Sequence, residues 1–169
     1  MKKLGLLGLS FVLMYLNSCS TNINSSIPLI NNDQVQQSST KLSNFRSDLW
    51  SAQSRARAWD FSASLIRAEA RFVQENGLAN WTFYFKSPSK NNTFKVDFGF
   101  GNEVPNMFFG RPINDFDIRT DIDKAIEKAK TQGLKKFPIS SVVLEKRSAF
   151  AEWQIINSDG NFIINTEEQ

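Results

Sequence analysis

The 169-residue chain contains one cysteine, Cys19, so no internal disulfide can brace it and any fold must rest on a buried core. Cys19 follows Lys2, Lys3 and the apolar run 4–16. That is the order of a secretory signal: a basic start, an apolar stretch of about 7–15 residues, then small residues. A membrane-spanning helix needs about 20 apolar residues, so residues 1–18 are expected to be an export signal rather than a span. An exported domain without disulfides needs ample apolar material, and fifteen Phe and four Trp supply it.

Leu16-Asn17-Ser18-Cys19 resembles the lipobox of bacterial lipoprotein precursors, with leucine three positions before the cysteine and a small residue directly before it. The resemblance implies that the Cys19 sulfur takes a diacylglyceryl group, that cleavage follows before it, and that the new amine is acylated. Each buried methylene contributes about 0.8 kcal/mol, so several acyl chains make a lasting anchor where one would be reversible. Ser20 stands where inner-membrane retention would place an aspartate. The implied address is therefore the bacterial cell envelope, with the outer membrane favoured over the inner.

Removing 1–18 takes away two lysines and no acid, leaving 18 basic and 17 acidic side chains. A net side-chain charge this small implies no nucleic-acid partner, because phosphate binding needs clustered positive charge. From 20 to 43 the chain is mainly Ser, Asn, Gln and Thr, too polar to offset the entropy of ordering. Residues 19–43 are thus expected to be a lipidated cysteine and a flexible tether spanning about 25–30 Å, with a folded domain over 44–169.

Within that domain Phe45, Leu49, Ala52, Ala56 and Trp59 recur at helical spacing, with Ser43 as a candidate N-cap. The next stretch fits two patterns. Ala63, Ile66, Ala70 and Val73 would extend the helix to Gly77, whereas residues 66–72 alternate apolar and polar as a half-buried strand does. The strand is adopted for 62–73 because the remainder reads mostly as strands. Trp81, Phe83 and Phe85 alternate with Thr82, Tyr84 and Lys86. Beyond a turn at 88–92, Phe94, Val96, Phe98 and Phe100 alternate with Lys95, Asp97 and Gly99, so an aromatic-faced hairpin is expected. Phe108-Phe109-Gly110 is a candidate short edge strand. A second helix is marked by capping-box spacing of Thr120 and Asp123, an apolar face of Ile122, Ala125, Ile126 and Ala129, and a cap at Gly133. Strands at 142–147, 150–156 and 161–165 follow, the last two joined by a turn at 157–160.

Each half therefore reads as helix, strand, a strand starting near Trp81 or Trp153, turn, strand. The chain resembles the PepSY-like domains of secreted bacterial proteins and, more loosely, the tandem halves of β-lactamase inhibitory proteins. The residues that carry this are Ile122-Asp123-Lys124-Ala125, Gly133, and Trp153-Gln154-Ile155-Ile156 with Asp159-Gly160. The resemblance implies an α+β fold of two helix-plus-antiparallel-strand repeats, with the helices packed on one face of the sheet. It also implies roles in protease inhibition, protein binding or envelope regulation.

The chain has no histidine, so it can form no Ser-His-Asp or Cys-His site, and no pattern announces a shifted carboxylate or lysine to act as base. No enzyme, cofactor or metal is expected. Asp115, Asp117, Asp121 and Asp123 read as a polar turn and helix start rather than calcium ligands. Lys124, Lys128, Lys135 and Lys136 read as a solvated face. For binding, the segment Asn106-Met107-Phe108-Phe109-Gly110-Arg111-Pro112 carries residue types enriched at hot spots. Met107, Phe108, Phe109 and Arg111 are the candidate contacts for an envelope protein; the alternative is that the two Phe fill the core. The expected function is a lipid-anchored, non-catalytic protein-binding or inhibitor module. The alternatives are an assembly lipoprotein pairing through a sheet edge, or a binder of small apolar molecules with a cavity lined by Phe94, Phe98 and Phe100.

Overall fold

The structure is a computed structural model, and it describes residues 43–106 and 110–167, all within the unit Ser38–Gln169. The expected signal segment, Cys19, the expected tether up to residue 42, and Met107, Phe108 and Phe109 lie outside the described residues.

Helix α1 (Phe45–Trp59) forms because its Phe45, Leu49, Ala52 and Ala56 make one buried stripe. Asn44, not Ser43, takes the N-cap position. The Ser43 hydroxyl still accepts from the Phe45 amide at 3.1 Å and donates to the Gly77 carbonyl. Asn44 grips the following loop twice: its Nδ2 donates to the Ala79 carbonyl at 2.8 Å, and its Oδ1 accepts from the Ala79 amide at 3.1 Å. The helix ends where Asp60 turns extended and its carboxylate accepts from the Ser62 amide and hydroxyl, an Asx-type turn.

That turn delivers the chain into a strand, β1 (Ser64–Val73), as expected. There follow β2 (Asn80–Lys86), β3 (Thr93–Asp97), β4 (Phe100–Val104), α2 (Ile122–Thr131), β5 (Ile139–Lys146), β6 (Ala151–Asn157) and β7 (Gly160–Asn165). All seven strands form one antiparallel sheet in the order β4-β3-β2-β1-β5-β6-β7. Among the described residues the fold is α+β, one seven-stranded sheet with two helices. The two-repeat expectation is not met as stated. Four strands follow α1 and three follow α2, and the halves share one sheet and one core.

Period-two alternation decides which face is covered. Ala68, Ala70, Trp81, Phe83, Val142, Leu144, Trp153 and Ile155 join a single core with the buried stripes of both helices. Small residues on the central strand leave room for large aromatics beside it. The Phe45 ring lies edge-on to Trp81 and to Trp153, each at 4.9 Å, and the two indoles are 5.9 Å apart. Trp153 Nε1 donates to the Thr120 carbonyl at 2.7 Å in a buried bond.

Two local expectations are corrected. The run from Phe94 to Phe100 is not one strand. Phe98 and Gly99 form a two-residue turn with both φ positive, +48° and +76°, and the chain returns as β4. An edge strand is thus present at Phe100–Val104, while Phe108 and Phe109 of the other candidate edge lie outside the described residues. The α2 N-cap is Asp121, not Thr120. The Thr120 hydroxyl instead donates to the Thr166 carbonyl and ties down the end of β7. Among the described residues no helix is long and apolar enough to cross a membrane.

Candidate functional site: the uncovered face of the sheet

With both helices contributing to the core on one side, the alternate residues of the strands form a second face that neither helix covers, although Tyr84 and Val143 at its centre are buried. The strand registers align them in rungs across the whole sheet. One rung runs Asn102, Lys95, Tyr84, Arg67, Glu145, Glu152, Asn165, and the next runs Phe100, Asp97, Thr82, Glu69, Val143, Gln154, Ile163.

Most charges on these rungs are mutually satisfied; among the described residues Glu152 makes no ion pair. Tyr84 Oη donates to Glu69 Oε1 at 2.8 Å, Arg67 Nε donates to Glu69 Oε2 at 2.8 Å, and the Arg67 guanidinium also pairs with Glu145. Arg147 donates to Glu145 through Nε and Nη2, each at 3.1 Å. Closer to β4, Asp97 accepts from Thr82 at 3.1 Å and from Lys95 at 2.8 Å. Burial, with the acceptor Glu69 beside it, pushes the Tyr84 phenol well above the usual tyrosine range. It therefore stays a neutral donor and offers no base. Three cations balance three carboxylates in this network, so it holds the face rigid and presents no concentrated field for an anion.

The face changes character at one end. Phe72 and Phe98 are 68% and 69% exposed, and both have positive φ, +54° and +48°. For a bulky residue that region costs about 1–2 kcal/mol, and no burial of the ring offsets it. Core packing of the ring therefore does not account for the strain at either position. Both rings line one concavity of about 400 Å³, with Arg71, Asn80, Thr82 and Ser141 among its walls. Arg71 is exposed and makes no ion pair among the described residues. Two aromatic rings and an uncommitted guanidinium are hot-spot chemistry.

Of the predicted contact residues, the structure describes only Arg111. It is exposed, with Nη1 3.5 Å from the Ser148 carbonyl. Beside it, Gly110 approaches the β1 backbone so closely that a Cβ would come within 2.8 Å of the Ile66 carbonyl oxygen. Arg111 therefore stands apart from the Phe72 and Phe98 concavity, which it does not line. The expected apolar pocket of Phe94, Phe98 and Phe100 is not assembled, because Phe94 is buried in the core while Phe98 and Phe100 are exposed. Three of the four aspartates have other partners, while Asp123 Oδ1 is buried without one among the described residues. Asp117 pairs with Lys146, Asp121 with Arg46, and Asp115 accepts from Gln53. Burial raises the Asp117 carboxyl, but the Asn114 amide and Lys146 outweigh it and hold the group below the ordinary range.

Compared with known protein families, curated proteins and solved structures, the chain matches none.

Proposed function

We propose that this chain is a lipid-anchored protein of the bacterial cell envelope, with the outer membrane favoured. Its folded domain is a non-catalytic module that binds another envelope protein on the uncovered sheet face. The lipobox-like segment ending in Cys19 supports the anchor. The observation that carries the binding reading is the pair Phe72 and Phe98, two exposed rings held at positive φ beside Arg71 on a prearranged sheet. The free guanidinium and the rings favour a partner segment that combines a carboxylate with apolar side chains. The finer family reading, tandem PepSY-like halves, is part of this proposal. It is supported by the recurring order of a helix and its strands and by the meeting of Trp81 with Trp153. The extra strand β4 and the shorter α2 depart from it.

The test is site-specific photocrosslinking in living cells, with the photoreactive residue placed at Phe72, Phe98 or, on α1, Trp50. The expected result is one protein adduct from the two sheet-face sites and none from Trp50, lost on Arg71→Ala. The same adducts from all three sites, or none from any, overturn the binding reading. Palmitate labelling of the full chain, abolished by Cys19→Ala, tests the anchor separately.

A further inference from the structure

The sheet has two edges, and they are unlike. Edge strand β4 contains Glu103, whose carboxylate accepts from Trp59 and Asn92. Edge strand β7 has no such guard. From Gly160 to Thr166 there is no ionisable side chain and no proline, and its register against β6 runs without a bulge. Natural sheets blunt an edge with charge, proline or a bulge when it must stay unpaired, and β7 uses none of these.

The hydrogen-bond phase of β7 shows which groups it offers. The hairpin closes on Asn157 and Gly160, and the Thr166 amide donates to the Ala151 carbonyl at 3.1 Å. Bonded pairs recur every second residue in an antiparallel ladder, so Gly160, Phe162, Ile164 and Thr166 face β6. Asn161, Ile163 and Asn165 therefore direct their backbone N–H and C=O groups outward. Their side chains lie on the uncovered face, where Ile163 is 54% exposed.

We infer that β7 pairs antiparallel with β7 of a second copy of this chain, with Ile163 opposite Ile163 and Asn161 opposite Asn165. This register is self-complementary, as a two-fold interface requires. Over Asn161–Asn165 it sets apolar against apolar and amide against amide and forms about six main-chain hydrogen bonds; beyond the strand the same register turns Glu167 toward Asp159 of the other copy, whose carboxylate is already held by the Lys135 and Lys136 amides. The Asn165 Oδ1 already accepts from the Glu167 amide, which leaves its Nδ2 to donate to Asn161 of the other copy. The result is one continuous sheet through two molecules, with both uncovered faces on the same side. The paired edge lies at the opposite end of the sheet from the Phe98 turn, so this inference and the partner-binding reading stand or fall separately.

Sedimentation equilibrium of the full chain in a density-matched mild detergent tests it, together with mild oxidation of cysteine variants. The native chain is expected to be a dimer. Ile163→Lys is expected to weaken it roughly tenfold or more, with the circular dichroism of the folded domain unchanged. Facing α-carbons of a bonded pair lie about 5.5 Å apart, within disulfide reach. Ile163→Cys should therefore yield a crosslinked dimer that the parent chain, with Cys19 alone, does not. Asn161→Cys should link only when combined with Asn165→Cys. A monomer at high micromolar concentration, or Asn161→Cys linking by itself as readily as Ile163→Cys, overturns the inference.

Discussion

Phe98 occupies the first position of a two-residue hairpin turn, where both residues need positive φ and the sequence norm is Asn or Asp before Gly. Gly99 fits that requirement and Phe98 opposes it. Replacing Phe98 with Asn should therefore relieve the backbone and raise unfolding stability by about 1 kcal/mol, read from urea denaturation. The same variant should lose the photocrosslink made from Phe72. Stability and binding moving in opposite directions would separate a functional ring from a structural one. A drop in stability would show that Phe98 is held by packing after all. Phe98 also explains why the turn was not legible in the sequence. An aromatic where Asn is usual keeps the apolar alternation running unbroken from Phe94 to Phe100, so the residue that marks the site also hides the hairpin that presents it.

At the scale of elements, the decisive switch is the end of α1. Asp60 is held ionised by the Ser62, Ser89 and Ser87 hydroxyls and the Ser62 amide, well below its ordinary carboxylate value. A depressed folded value gives stability that is present above the unfolded value, near pH 4, and is lost as pH falls toward the folded one. Unfolding stability should decline below about pH 4, and Asp60→Asn should flatten that part of the profile in thermal melts. An unchanged slope would show that the turn does not depend on the carboxylate. The helix at 45–59 was legible because burial follows period directly, whereas 62–73 fits both periods and only the strands after it pointed to the strand found at Ser64–Val73. Most later elements were legible too, since β5, β6, β7 and α2 fall close to their expected spans. The α2 cap was misplaced by one residue because Thr120 bonds to Thr166, a partner far along the chain that no local pattern reveals. The face carrying the candidate site was legible only as the polar half of each alternation. Which rungs align across seven strands depends on registers, and these are set by tertiary packing.

For the whole molecule, the seam at Phe45, Trp81 and Trp153 joins α1, β2 and β6 in one aromatic cluster. Trp153 is fully buried and also bonds to Thr120, so it serves both halves at once. Trp153→Ala should cost about 3–5 kcal/mol, a large share of the roughly 5–15 kcal/mol that stabilises a typical domain. Fluorescence and circular dichroism should shift to the same lower denaturant midpoint, one transition before and after the change. Two separated transitions would mean that the halves unfold independently. The Asn44 grip on Ala79 matters most when the chain ahead of Ser43 is pulled. The pull meets two parallel bonds at the entrance to β2 before it reaches the first turn of α1. Load is therefore shared at once with the sheet, and the domain resists being unzipped from its N-terminal end.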